Sequence, residues 1–228
     1  MKYAGHPGVD ANKIEPVDYV WKGEPLDELI GSDKQGTFDF IIASHVIEHI
    51  TDIIGFLQQC SKLLCPTGVL SLIIPDKRYC FDYFRFPSST GDALQAYLEK
   101  RKRHPPGVIF DHFASCCSLN QNIAWGKNYP GTLELIHSVD YAQEVMNSAT
   151  SQGQYFDCHQ WRFTPSSFKL IMQDLQNLGL IDLGEVISFD SEGCEFHTTL
   201  SKSFERNQLD RLTLLKQTLL ENGESIIP

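Results

Sequence analysis

Hydrophobic and polar positions alternate with different periods along the chain, and each change of period predicts an element. Residues 38–43 (FDFIIA) form a short apolar run rich in β-branched side chains, which predicts a strand buried on both faces. Thr51 is placed to cap a following helix, with Asp52 in its first turn near the positive end of the helix dipole. Ile53, Phe56, Leu57, Cys60, Leu63 and Leu64 then recur at the helical period as one apolar stripe. Pro66 and Gly68 end that helix, and residues 69–74 (VLSLII) read as a second buried strand closed by Pro75. Strand, helix and strand in this order predict a parallel βαβ unit with a right-handed crossover. Ser44 to His49 and Pro75 to Arg78 then share the carboxyl rim of the sheet, where open α/β sheets bind ligands.

The flanking patterns are less regular. Residues 1–14 are polar and lack a hydrophobic period, residues 17–21 (VDYVW) suggest a short strand, and a turn at residues 22–25 leads to a short helix around 26–30. The aromatic run YCFDYFRF at 79–86 precedes a helix expected over 90–103, with Leu94, Tyr97 and Leu98 on one face and His104-Pro105-Pro106-Gly107 as its end. Ser138 caps a helix running to about 149. Thr164 and Pro165 open another, whose stripe is Phe168, Ile171, Met172, Leu175 and Leu178, with Gly179 as a left-handed C-cap. Residues 180–189 and 195–200 read as two strands joined by a turn at 191–193. Leu209, Leu212, Leu215 and Leu219 mark a final amphipathic helix over 206–222, expected to pack on its own body.

Length and charge narrow the picture. A chain of 228 residues, 42% hydrophobic, suits one domain with insertions. A net charge of -10 argues against general nucleic-acid or anionic-membrane binding. The basic run Lys100-Arg101-Lys102-Arg103 reads either as a solvated helix end or as a phosphate-binding patch. Seven cysteines without a CxxC pair are read as reduced thiols of a cytoplasmic protein. No apolar run approaches the ~20 residues that span a bilayer.

The segment FDFIIASHVIEHI…LLCPTGVLSLIIPD resembles the fourth strand, following helix and fifth strand of class I S-adenosylmethionine-dependent methyltransferases of the broad type 11 group. The resemblance implies a Rossmann-like, mostly parallel α/β sheet with flanking helices: a core over 17–78, a cap insertion over 79–161, and a helix and strands over 162–202, with the C-terminal helix over 203–228 lying beyond the resemblance. The final strand of that fold runs antiparallel. It also implies S-adenosylmethionine as cofactor, contacted at Ser44, His45 and Val46 beyond the fourth strand and at Val20 and Trp21 beyond the third. Trp21 reads equally as a packing aromatic. The glycine-rich turn and the ribose-binding acid of the family have no counterpart, because only about sixteen residues precede the expected third strand. The expectation is a chain lacking the first strands, with one sheet edge exposed and weakened cofactor binding.

Methyl transfer to a hydroxyl needs a positioned acceptor and a base. His112 and His159 are the candidates, because Asp111 and Asp157 lie close in sequence and could orient an imidazole. Glu48 and His49 read either as site residues or as local capping groups. No spacing such as HxxxH supports a metal, and a set drawn from His112, His137 and His159 is not assigned. The expected function is O-methylation of a small-molecule or saccharide acceptor, with no nucleic-acid or membrane partner. The alternative is a non-catalytic protein derived from a methyltransferase.

Overall fold

A computed structural model describes residues 15–152, 155–206 and 209–223. Its centre is a four-stranded sheet of β1 (Phe38–Ser44), β2 (Leu64–Pro75), β5 (Gly184–Glu192) and β6 (Glu195–Ser201), in the order β1-β2-β6-β5. A two-stranded ribbon of β3 (Cys117–Leu119) and β4 (Leu133–Leu135) lies apart from it. The helices are α1 (Leu26–Ile30), α2 (Ile53–Leu63), α3 (Thr90–Leu98), α4 (Pro106–Ser115), α5 (Val139–Gln152), α6 (Pro165–Asn177) and α7 (Arg211–Glu221). No described helix is long and apolar enough to cross a membrane.

β1 and β2 run parallel, with Ser44 opposite Ile73, so His45 and Asp76 emerge at the same end of the sheet. β6 pairs antiparallel with β2 and β5 antiparallel with β6, as the resemblance implies for the last strand. The helix between β1 and β2 buries Ile53, Phe56, Leu57, Cys60 and Leu63, as its stripe predicts. Together with Leu70, Leu72 and Ile74 of β2, Ala93 and Ala96 of α3, and Phe168, Ile171 and Leu175 of α6, Ile53, Phe56, Leu57 and Cys60 form one core.

Several expectations need correction. β1 is not buried on both faces: Phe40 and Ile42 lie on one face of the sheet and are 65% and 67% exposed, and its outer edge has no strand partner among the described residues. Residues 17–21 form no strand but an exposed irregular stretch with a bend at residue 18, since a short segment without a ladder to join gains little from strand geometry. Asp52, not Thr51, caps α2, accepting from Gly55 N at 3.0 Å, while the Thr51 hydroxyl donates to Arg101 O at 2.9 Å. β2 begins before Pro66 and absorbs both helix-ending residues. The register with β1 shifts there, and a Cβ on Gly68 would lie 2.7 Å from Phe38 O, so glycine permits the close approach.

The cap also differs. α3 ends at Leu98, and its buried face is Ala93 and Ala96, with Leu98 exposed. The Pro-Pro-Gly that ends α3 in the sequence reading instead opens α4, with a proline in its first turn. Ser138 accepts from Tyr141 N at 3.2 Å at the start of α5. At α6 the capping reading holds, with Thr164 and Ser167 forming a reciprocal capping box and Gly179 at φ 70°, and the stripe holds for Phe168, Ile171, Met172 and Leu175 but not for Leu178, which is exposed beyond the helix end. α7 does pack on its own body, but through Leu214, which is fully buried, rather than through Leu209, Leu212, Leu215 and Leu219, which are exposed.

Candidate functional site

The chain leaves β1 through a tight bend. His45 has φ 51°, and its N–H donates to Ile73 O at 3.0 Å, which holds the start of the bend against β2. One short turn, Ile47–His49, follows, with Ile47 and Glu48 buried beneath it. Glu48 O accepts from Gln160 N at 2.7 Å and Trp161 N at 3.1 Å, and Trp161 Nε1 donates to Ile50 O at 2.5 Å. Residues 48–50 and 159–161, a hundred positions apart in sequence, are therefore fixed to each other.

Three side chains converge across that junction. Glu48, His49 and His159 each place one oxygen or nitrogen within 4.8 Å of the others. Glu48 is fully buried, and neither carboxylate oxygen has a hydrogen-bond partner from another residue among those described. Burial pushes its pKa up against the opposing pull of its own backbone N–H and of His159, His49 and His45. His45 Nδ1 lies 3.5 Å from Glu48 Oε1, and its Nε2 lies 2.6 Å from Glu195 Oε2.

The two histidines of the cluster are each backed by an acid. His49 Nδ1 meets Asp157 Oδ1 at 2.8 Å, while its Nε2 faces Glu48 Oε1 at 3.8 Å. Tyr155 donates to the same Asp157 oxygen at 3.1 Å. Burial disfavours the His49 imidazolium, but the Asp157 bond and the charges of Asp157, Glu48 and Asp82 outweigh it and raise the pKa above 6.5. The His49 bond in turn leads the causes that hold Asp157 down to about 2, against partial burial. His159 Nδ1 meets Asp82 Oδ2 at 2.5 Å, and Arg85 donates to Asp82 Oδ1 at 2.8 Å and to His159 O at 2.9 Å. Burial would raise the Asp82 pKa, yet the bonds and charges of His159 and Arg85 hold it below the carboxylate range.

The sequence pairings are thus crossed. Asp157 orients His49 rather than its near neighbour His159, which is served by Asp82. Asp111 is exposed and makes no bond to His112, because adjacent residues on a helix point in different directions. His112 is held neutral, its pKa pushed down to about 3 by burial, and its Nδ1 accepts His159 N–H at 3.3 Å. His112 therefore supports the His159 backbone instead of facing a substrate. His137 stacks on Tyr141, with ring centroids 4.6 Å apart, away from the cluster. Asp82 and Asp157 lie far from their histidines in sequence, so only folding reveals the pairs.

A cavity of about 620 Å³ opens beside His49 and is lined by Trp21, Thr51, Asp52, Tyr155 and the basic run Lys100-Arg101-Lys102-Arg103. Trp21 borders it, whereas Val20 is exposed on the preceding stretch. Ser44 and His45 are exposed on the carboxyl rim, with Val46 half-buried beside them. The cluster can act in two ways. An acid-backed imidazole can take a proton, or three converging ligands with carboxylate-bound histidines can hold a divalent cation. Ligands of one tetrahedral zinc lie about 3.4 Å apart, so the second use requires a small inward movement from the 4.8 Å spread.

Comparison with known proteins identifies the setting of this rim. Residues 6–176 match the family model described as a methyltransferase domain. The ubiquinone biosynthesis O-methyltransferase of Rhodopseudomonas palustris strain TIE-1 is 45% identical over 38 residues, 17% of this chain and 15% of that protein. The mitochondrial ubiquinone biosynthesis O-methyltransferase of Bos taurus is 38% identical over 52 residues, 23% of this chain and 14% of that protein. The chain thus covers about 15% of the length of the first of these relatives. With the family model spanning most of the sequence and the parallel β1–α2–β2 unit it requires in place, the chain belongs to the methyltransferase domain family.

Proposed function

We propose that this chain serves S-adenosylmethionine-dependent O-methylation of a small-molecule or saccharide hydroxyl, with His49 as the base. The observation that carries the reading is the His49–Asp157 pair beside the cavity at the carboxyl rim. A proton on Nδ1 is shared with Asp157, which leaves Nε2 with its lone pair free to accept an acceptor's hydroxyl proton. His159 is enclosed, with its side chain 7% exposed, and acts as the neighbour that fixes the His49 surroundings. Ser44, His45 and Val46 would hold the cofactor, aided by Trp21, and their exposed position on the rim suits a ligand laid across it. When bound, S-adenosylmethionine supplies the electrophilic methyl group. The relatives named as O-methyltransferases support an oxygen acceptor.

Calorimetric titration of S-adenosylhomocysteine tests cofactor use, and transfer of labelled methyl groups to a panel of saccharides and phenols tests the reaction. His49→Ala is expected to lower any transfer by roughly 10²–10⁴-fold, the usual worth of a general base. An unchanged rate removes His49 from the mechanism. Absence of ligand heat together with absence of transfer favours a non-catalytic protein of methyltransferase descent.

A second reading is favoured by the unpartnered carboxylate of Glu48: Glu48, His49 and His159 hold a divalent cation that binds the acceptor oxygen. Elemental analysis of the purified protein and of Glu48→Gln separates the two. A stoichiometric metal lost in Glu48→Gln supports the cation, and a metal-free, EDTA-insensitive protein supports the base.

A further inference from the structure

The cavity beside His49 carries an excess of positive charge that the methyl-transfer reading does not use. Lys22, Lys100, Arg101, Lys102 and Arg103 line it, against Glu24 and Asp52. Both acids are engaged locally: Asp52 accepts Gly55 N–H at 3.0 Å, and Glu24 accepts Lys22 N–H at 2.8 Å. Arg101 is paired with Glu99 at 2.6 Å. Among the described residues, the side chains of Lys22, Lys100, Lys102 and Arg103 make no ion pair. Four unpaired cations from two distant stretches therefore meet at one cavity, in a protein whose net charge is -10.

The basic run is not a free end trailing from a helix. Lys100 has φ 50°, a left-handed turn that swings the chain out of the α3 axis. Thr51 then ties Arg101 O to the start of α2 at 2.9 Å, so the run is fixed at the same bend that positions His49. Cationic side chains facing a concave, low-dielectric wall concentrate anions there.

We propose that this cavity receives the acceptor and that the acceptor carries an anionic group, a phosphate or a carboxylate, bound by Lys22, Lys100, Lys102 and Arg103 while its hydroxyl is directed to His49. This inference rests on the methyl-transfer reading for the role of the hydroxyl, but the anion site can be measured without it. An acidic protein with this local inversion of sign would select charged over neutral saccharides.

Trp21 lies in the cavity wall and supplies the readout. Intrinsic fluorescence of the full chain, compared with that of Trp21→Phe to separate Trp21 from Trp125 and Trp161, is followed during titration with glucose 1-phosphate, glucuronate and glucose. The expected result is saturable change with one or both anionic sugars, weakening about tenfold between ~20 and ~200 mM salt, and little change with glucose. Tighter binding of the phosphate sugar assigns a phosphate, and tighter binding of the uronate assigns a carboxylate. Lys102→Glu with Arg103→Glu is expected to weaken the anionic probe about tenfold or more, and Lys102→Gln with Arg103→Gln less so. The exposed control pair Lys127→Glu with Lys216→Glu, which makes the same charge change elsewhere, leaves binding within about twofold. Equal response to glucose, no response to any probe, or equal loss in the control pair overturns the proposal. S-adenosylhomocysteine binding measured separately shows whether the methyl-transfer reading has failed instead.

Discussion

His49, His112 and His159 differ in what their ring nitrogens face, and that difference assigns their work. His112 accepts a backbone N–H and is held neutral with its pKa near 3. His159 is enclosed between Asp82 and Phe81, whereas His49 has one nitrogen on Asp157 and the other 3.8 Å from buried Glu48, and its side chain lines the cavity. A base must be neutral to act, and the His49 pKa is raised above 6.5, so transfer is expected to rise as pH climbs through that raised value. Asp157→Asn removes the charge that raises it, keeps at most a neutral hydrogen bond, and leaves burial, which disfavours the imidazolium. The rising limb of the pH–rate profile is therefore expected to move to lower pH, with a lower plateau because a neutral amide orients the ring less firmly than a carboxylate. A limb that stays in place excludes His49 as the titrating group. The linked stability has a matching window. The His49 contribution is fully present below pH 6.5 and fades as pH rises through the raised pKa, while that of Asp157 is present above 3.8 and fades toward about 2. Asp111→Ala, on an exposed helix position, is expected to leave the rate roughly unchanged. The site was legible in the sequence as a rim, Ser44 to His49, and as the separate candidates His159 and Asp157, but not in its pairings. Its pairs join positions 108 and 77 residues apart, and no spacing rule reaches across such distances.

At the level of elements, local chemistry was readable where a single residue had a single possible use. Thr164-Pro165 opens α6 as predicted because Thr164 and Ser167 cap each other reciprocally. At α2, two neighbours could serve, and tertiary structure decided: Thr51 is drawn to Arg101 O, so Asp52 caps. Asp52→Ala is expected to cost about 1 kcal/mol, measured by denaturant unfolding against Thr51→Ser, which keeps the tie to Arg101. α7 shows the opposite limit. Its leucines at 209, 212, 215 and 219 satisfy a helical stripe, yet Leu214 is the one enclosed, while Arg211 pairs with Asp174 at 2.9 Å and Glu221 accepts from the Ser166 hydroxyl at 2.8 Å at the two ends of the helix. Leu214→Ala is expected to cost about 2–5 kcal/mol and Leu212→Ala much less. Equal losses would mean that burial of Leu214 is not what docks α7. The strand expected over 17–21 failed for a related reason. Strand propensity is realised only where a ladder accepts it, and β1 has no partner on that side among the described residues.

Across the whole molecule, the sheet, the aromatic segment after β2 and the segment before α6 are joined by one buried polar junction. Asp82 receives His159 and Arg85, Arg85 also reaches His159 O, and Gln160 and Trp161 donate to Glu48 O. Asp82 and Arg85 are 2% and 6% exposed, so neither charge is relieved by water if its partner is removed. Asp82→Asn leaves Arg85 with a single carbonyl and removes the acid that fixes the His159 ring. Breaking a buried pair of this kind costs about 3–5 kcal/mol, which for a chain of this length corresponds to a Tm lowered by roughly 6–20 °C. The pH dependence distinguishes a charge effect from a simple loss of fit. The folded Asp82 pKa is held below 3.8, so its contribution is present above that value and is lost as pH falls through the folded pKa. The gap in Tm between the parent chain and Asp82→Asn is accordingly expected to be widest near neutrality and to narrow as the buffer is taken below pH ~4. A gap independent of pH would show that the asparagine merely fits badly and that the Asp82 charge does not hold the three segments together. Because His49 and His159 stand edge to face with centroids 4.7 Å apart, the same variant is also expected to shift the His49 titration, linking the stability of the junction to the chemistry of the rim.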